Sequence, residues 1–216
     1  MFFIFSFSQK KKKKTKDALA ELRSYSYNDG EIKKDFKPIP LQKRIARFPF
    51  GKASKIKIIS YNLYLKKARA YEPAPPPPKT KLDSVNLEKY YENLKNTEPV
   101  ELGDVINNTD NEGLQESKML TLNEISELTH ILYNTCNKYY ISLISQSGCF
   151  FPRNAILFYD ENDKVFAYYD ICFECEGIES SPKGMLEPIE TCEFLYPDLE
   201  KFFKSKGLTT QYMPKK

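Results

Sequence analysis

Residues 149–175 read CFFPRNAILFYDENDKVFAYYDICFEC, and the fold class turns on how this stretch pairs with itself. The run Ala155-Ile156-Leu157-Phe158-Tyr159 and the run 165–173 are rich in aromatic and β-branched residues, which suit a pleated, half-buried surface. Asp160-Glu161-Asn162-Asp163-Lys164 separates them, so the stretch predicts a β-hairpin with a polar turn. With residues 161–164 as the loop, Tyr159 faces Phe166, Leu157 faces Tyr168 and Arg153 faces Cys172, which sets Cys149 beside Cys175.

Side chains alternate along a strand, so Val165, Ala167, Tyr169, Ile171, Phe173 and Cys175 share one apolar face, assigned to the core. The other face carries Phe166, Tyr168, Asp170, Cys172 and Glu174. In this register Arg153 comes against Cys172 with Asp170 and Glu174 as diagonal neighbours, a candidate polar cluster. A guanidinium lowers a thiol pKa and two carboxylates raise it again, so the residues favour an ion-pair lattice with a bystander thiol over a reactive cysteine.

Working outward, Ser180, Ser181, Pro182 and Gly184 mark a loop, and a closing helix over 196–206 is stopped by Gly207 and buries Phe194, Leu195, Leu199, Phe202 and Phe203. Upstream, 107–116 is polar and loop-like, and Thr121-Leu122-Asn123-Glu124 has the form of a capping box. The helix it opens shows Leu122, Ile125, Leu128, Ile131 and Leu132 on one side. His130, the only histidine, falls on the polar side with Asn123, Glu127 and Asn134 and reads as a surface residue.

Further back, 83–94 predicts a helix with an apolar stripe of Val85, Leu87, Tyr90, Tyr91 and Leu94, and the prolines around Pro75 make 72–82 a loop or linker. Residues 55–61 alternate as a first core strand, Pro38 and Pro40 hold the preceding segment extended, and Asn28-Asp29-Gly30 signals a turn after a short helix over 17–24. The order strand, helix, helix, hairpin, helix predicts an α+β fold. Its small antiparallel or mixed sheet contains the C-terminal hairpin, helices pack on one face, and one domain covers 17–216.

Charge is divided unevenly along the chain: residues 1–80 hold 20 Lys and Arg against 6 Asp and Glu, whereas 81–216 hold 13 against 23. The basic half suits an anionic envelope surface or a protein partner, or else packs on the acidic half. Residues 1–8, MFFIFSFS, resemble the tail of a truncated signal peptide, with small Ser6 and Ser8 where a signal peptidase reads. The lysine tract within 9–16 reads as a disordered leader. The expected location is therefore exported (periplasmic, envelope-associated or secreted), and cytoplasmic if the apolar start is no signal remnant. No stretch has the roughly 20 apolar residues of a transmembrane helix.

The cysteines are Cys136, Cys149, Cys172, Cys175 and Cys192. In an exported chain the register makes Cys149 and Cys175 the disulfide candidates. The Cys-x-x-Cys spacing of Cys172 and Cys175 also fits a zinc site completed by Cys149 and Cys192, provided the strand ends by about residue 173, since a continuous strand sends residues three apart to opposite faces. A redox pair of this spacing opens a helix, but here the acidic, turn-prone segment 176–182 follows. Phe50-Gly51-Lys52-Ala53-Ser54 lacks the pattern of a phosphate loop, there is no Gly-x-Ser-x-Gly elbow, and no catalytic residue is assigned.

The Cys149-x-x-Pro152-Arg153-Asn154 start and the Ile171-Cys172-Phe173-x-Cys175 end, with the capped helix before them, resemble a family of uncharacterised small bacterial proteins that are exported or envelope-associated. The resemblance spans about residues 118–206 and implies export but no activity. The first functional expectation is thus a non-enzymatic exported binding or envelope-support module with a cysteine-braced hairpin and no cofactor. The alternatives are a thiol protein using Cys149, Cys172 and Cys175 for zinc or redox chemistry, and an intracellular nucleic-acid binder. The last would use Lys43, Arg44, Arg47, Lys52, Lys55 and Lys57, with Phe48 or Tyr61 stacking on bases, and the acidic second half argues against it.

Overall fold

The computed structural model describes residues 31–65, 76–95, 100–107, 113–140, 150–186, 189 and 192–214, with the backbone alone over 92–95. The expected signal remnant 1–8, the lysine tract 9–16, the helix over 17–24 and Cys149 lie outside these residues. The described elements are α1 (Leu41–Ile45), β1 (Lys55–Tyr61), α2 (Lys81–Lys95), α3 (Leu102–Asn107), β2 (Leu114–Met119), α4 (Leu122–Asn134), β3 (Asn154–Tyr159), β4 (Val165–Cys172), β5 (Gly177–Ser181) and α5 (Leu195–Ser205). None of these helices is long and apolar enough to cross a membrane.

The strands form one sheet in the order β2-β1-β3-β4-β5, with every neighbouring pair antiparallel, so the fold is α+β. The hairpin is β3 and β4, paired from Asn154 opposite Ile171 to Phe158 opposite Ala167, and Leu157 meets Tyr168 as the sequence register has it. At Tyr159 the register shifts, and Val165 takes the place expected for Phe166. The turn explains the shift: Asp160 Oδ1 accepts backbone N–H groups from Asn162 and Lys164, each at 2.9 Å, and closes the loop tightly before Val165.

One face of the sheet contributes Ile58, Ile156, Phe158, Tyr169 and Ile171 to the main core, against Leu128 and Leu132 of α4 and Leu199, Phe202 and Phe203 of α5. Thr121 caps α4 as the motif predicts: its side chain accepts from Glu124 N, and its own N–H donates to Glu124 Oε2 at 2.8 Å. Beyond α5, Gly207 has φ +85°, a left-handed conformation that suits glycine and stops the helix. The second face carries a smaller core of Ile59, Tyr61, Ala155 and Leu157 under Leu102 and Val105 of α3.

Four elements differ from the sequence reading. α1 begins immediately after Pro40, a residue whose fixed φ suits a helix start as well as an extended chain. α3 and β2 take up both ends of the expected loop 107–116, and β5 occupies the loop expected around Ser180. β2 and β5 are the outer strands, and a polar edge strand lacks the apolar alternation by which strands are recognised. α2 forms where predicted, but its apolar stripe does not enter the buried cores: Val85 and Tyr91 are exposed, and Leu87 and Tyr90 are half-buried.

Two disulfides tie the elements. Cys136–Cys192 joins the turn after α4 to the segment entering α5 across 56 residues of sequence, whereas Cys172–Cys175 closes a local turn at the end of β4. By the chain-entropy model the long loop is worth about 4 kcal/mol and the short one about 2. Replacing Cys136 and Cys192 together by Ala should therefore cost about twice the stability lost on replacing Cys172 and Cys175. Guanidinium unfolding of the two variants checks the order, and a larger loss from the local bridge would show that it braces more than its own turn.

Candidate functional site

At the open end of the hairpin, Arg153 is buried at 3% exposure, and its guanidinium donates to the carbonyls of Asn62 and Leu65. Its Nε lies 3.5 Å from Glu174 Oε1 without hydrogen-bond geometry, so the attraction is one of charge. The Phe151 ring flanks the guanidinium at 4.7 Å. Burial lowers the Arg153 pKa and Glu174 opposes that shift. Arg153 thus clamps the start of β3 to the chain leaving β1.

The cysteines there require a correction. Cys175 is bonded to Cys172, not to the expected Cys149. β4 ends at Cys172, and the following turn brings the two Cα atoms to 5.2 Å, so residues that a continuous strand would send to opposite faces can bond. Cys192 is held by Cys136 in the main core, so the zinc set Cys149, Cys172, Cys175 and Cys192 is not assembled: three of its four sulfurs are tied up in disulfides. Cys172 and Cys175 are 1% and 3% exposed beneath Phe151, and the Phe151 N–H donates to Cys175 Sγ at 3.4 Å. This burial closes the bridge to exchange with a bulky thiol.

Asp170, the fourth member of the predicted cluster, points elsewhere. It lies on the second face and accepts from the Tyr61 hydroxyl at 2.5 Å, with Tyr61 wholly buried and Asp170 8% exposed. Burial raises the Asp170 pKa to about 7 against the opposing Tyr61 hydrogen bond, with Glu179 and Glu101 adding to the rise. The same environment pushes the Tyr61 phenol upward. The cluster of Arg153, Asp170, Cys172 and Glu174 is therefore split: Arg153 meets Glu174, Asp170 meets Tyr61, and Cys172 is no thiol.

Two of the surface concavities formed by the described residues bear on function. The first, about 650 Å³, opens on the second face: Ile59, Leu157 and Val105 form an apolar floor, and Lys57 and Lys164 stand at its rim. Tyr159 lines it too, with the ammonium groups of Lys55 and Lys57 over its ring at 4.9 and 5.3 Å. Lys55 is also paired with Asp163 in the hairpin turn. The second, about 580 Å³, runs between α4 and α5, with Arg44 and His130 among its lining residues.

His130 is exposed, as its helix position predicts, yet it faces this groove. Asn134 Oδ1 accepts from Ile39 N at 2.8 Å and its Nδ2 donates to Ile39 O, which fixes the amide with Nδ2 toward His130 Nδ1 at 3.1 Å. Nδ1 is then an acceptor and Nε2 carries the proton. Partial desolvation in the groove and the nearby Arg44 charge lower the His130 pKa against the opposing charge of Asp198, in keeping with this neutral tautomer.

Several of the residues offered for nucleic-acid binding are engaged within the fold. Arg44 is buried, Arg47 stacks on Tyr133 at 4.7 Å, and Lys52 sits over Phe48 at 5.7 Å. Tyr61 is inside the second core and is closed to a base, because its ring packs against the strand interior. Among the described residues no group of three or more His, Cys, Asp or Glu side chains is placed to hold a metal. Comparison of the chain with protein-family models, curated proteins and solved structures returned no match.

A buried carboxyl with a raised pKa makes stability depend on pH in a fixed direction. The folded state holds the Asp170 proton more tightly than the unfolded chain, so the stabilisation is full below pH about 4 and is lost as pH rises to about 7. The shift corresponds to about 4 kcal/mol. Asp170→Asn keeps an acceptor for Tyr61 and removes the titration. Relative to this variant, the wild type should lose that stability between pH 4 and pH 8 in urea unfolding, and a difference that stays constant with pH would show that Asp170 does not titrate in this range.

Proposed function

We propose that this chain is a non-enzymatic binding module of an oxidising, extracytoplasmic compartment, exported or held at the envelope, and that it grips an acidic, partly apolar polypeptide segment on the second face of its sheet. The lysine-rimmed groove carries the reading. Its floor of Ile59, Leu157 and Val105 suits apolar side chains, while Lys57 and Lys164 match carboxylates spaced along an extended segment. The two disulfides support the compartment, since such bonds persist where thiols are not kept reduced.

The redox alternative has one supporting contact, the Phe151 N–H on Cys175 Sγ, but the depth of that bridge opposes it. Binding is expected to weaken with salt, because rim charges act at close range through water, and to retain a salt-insensitive part from the floor.

The test uses a fluorescein-labelled peptide of alternating Glu and Leu as probe and polyglutamate as comparator. The full chain should bind the peptide more tightly than polyglutamate, and Lys57→Glu with Lys164→Glu should lower affinity by about tenfold. Equal binding of both probes, or an unchanged affinity in the double variant, would remove the groove from the proposal. Alkylation of the denatured, unreduced protein taken from its source should leave Cys136, Cys172, Cys175 and Cys192 unlabelled, and labelling of all four would overturn the compartment.

A further inference from the structure

The groove between α4 and α5 contains a charge that no described carboxylate pairs with. Arg44 is 6% exposed and donates Nε to Thr129 Oγ1 at 3.3 Å, one terminal nitrogen to Ile39 O at 2.6 Å and the other to Ser126 O at 3.2 Å. Those contacts use three of the five N–H donors of a guanidinium. All three acceptors are uncharged, and among the described residues no carboxylate comes within ion-pairing distance of Arg44. Burial lowers its pKa and no acidic neighbour counters the effect, in contrast to Arg153, which has Glu174. A desolvated cation without a counter-charge is costly, and the planar fork is the group best shaped to take a carboxylate.

The rest of the groove fits the same guest. Lys201 adds a second positive charge, and neutral His130 has its Nε2–H free of the Asn134 contact. Of the two acids in the lining, Glu127 is already paired with Lys206 at 2.8 Å, and Asp198 accepts from the Thr135 hydroxyl at 3.3 Å. Ile131 and Phe202 supply apolar wall. These acids disfavour a compact anion such as phosphate, whose charge sits on one centre, whereas a short-chain carboxylate such as succinate holds its two charges apart and brings an apolar body for the wall.

We infer that this groove is a binding site for a small organic carboxylate, which Arg44 receives through its remaining donors with Lys201 and His130 completing the contacts. The site is separate from the sheet-face groove, and neither proposal depends on the other.

The experiment is an amide NMR titration of the full ¹⁵N-labelled chain with sodium succinate, run beside sodium phosphate and sodium chloride at matched ionic strength. Succinate should give saturable shifts at the amides of Ser126, His130 and Lys201, tighter than phosphate and absent with chloride. Lys201→Ala, a change at an exposed residue of the groove lining, should weaken succinate by about threefold to tenfold, and Arg44→Lys by about tenfold through loss of the fork. If Arg44→Lys fails to fold, Lys201→Ala still decides. Shifts that do not saturate, that chloride reproduces, or that are unaltered in Lys201→Ala would reduce Arg44 to a bracket between residue 39 and α4, and tighter binding of phosphate would overturn the choice of a carboxylate.

Discussion

The sheet and the helices that cover it are arranged around the fact that β3 has almost no side open to water. Asn154 to Phe158 are all buried, and the strand is flanked by β1 and β4 in the plane of the sheet. Such a strand needs cover above and below, and it receives the α4 and α5 layer on one face and α3 on the other. Phe158 stands edge-on to Phe50 at 5.0 Å and to Tyr169 at 5.5 Å, so the main core is built outward from it. Even its polar residue is engaged: Asn154 Nδ2 donates to Ser60 Oγ and to the Thr209 carbonyl, each at 3.0 Å, which pins the chain beyond α5 to the sheet.

The parts legible in the sequence were those whose signal is local. The aromatic runs around 160–164, the Thr121 capping box and the Gly207 stop each act over a few residues, and each has its element close to where the sequence puts it. β2 and β5 were hidden because an outer strand needs only one partner and can be polar throughout. The second core was signalled, though not taken up, by the unbroken apolar run 155–158, which a strand with one wet face would not carry. The stripe of α2, exposed at Val85 and Tyr91, shows the reverse: helical spacing of apolar residues reports a helix, not its burial.

The site residues divide the same way. The Cys172–Cys175 bond depends on β4 ending at Cys172, a boundary that no single residue announces, so the spacing alone reads equally as a zinc or redox pair. Asp170 had a signal: one acid inside an otherwise apolar strand must find a partner or hold its proton, and it does both against Tyr61. Arg44 had none. It stands among similar cations in the sequence, and only the fold of α1 against α4 buries it while leaving the others exposed or half-buried.

The two outer strands also bear on how copies of the chain meet. On β2, Glu116 is committed to the N–H and hydroxyl of Thr209 and Lys118 to Glu124, so the strand carries fixed charge along a short length. β5 runs straight into Pro182, which has no N–H to offer an incoming strand. Neither margin is a good template for adding another backbone, and a protein whose sheet cannot be lengthened from either side resists fibril growth even when concentrated.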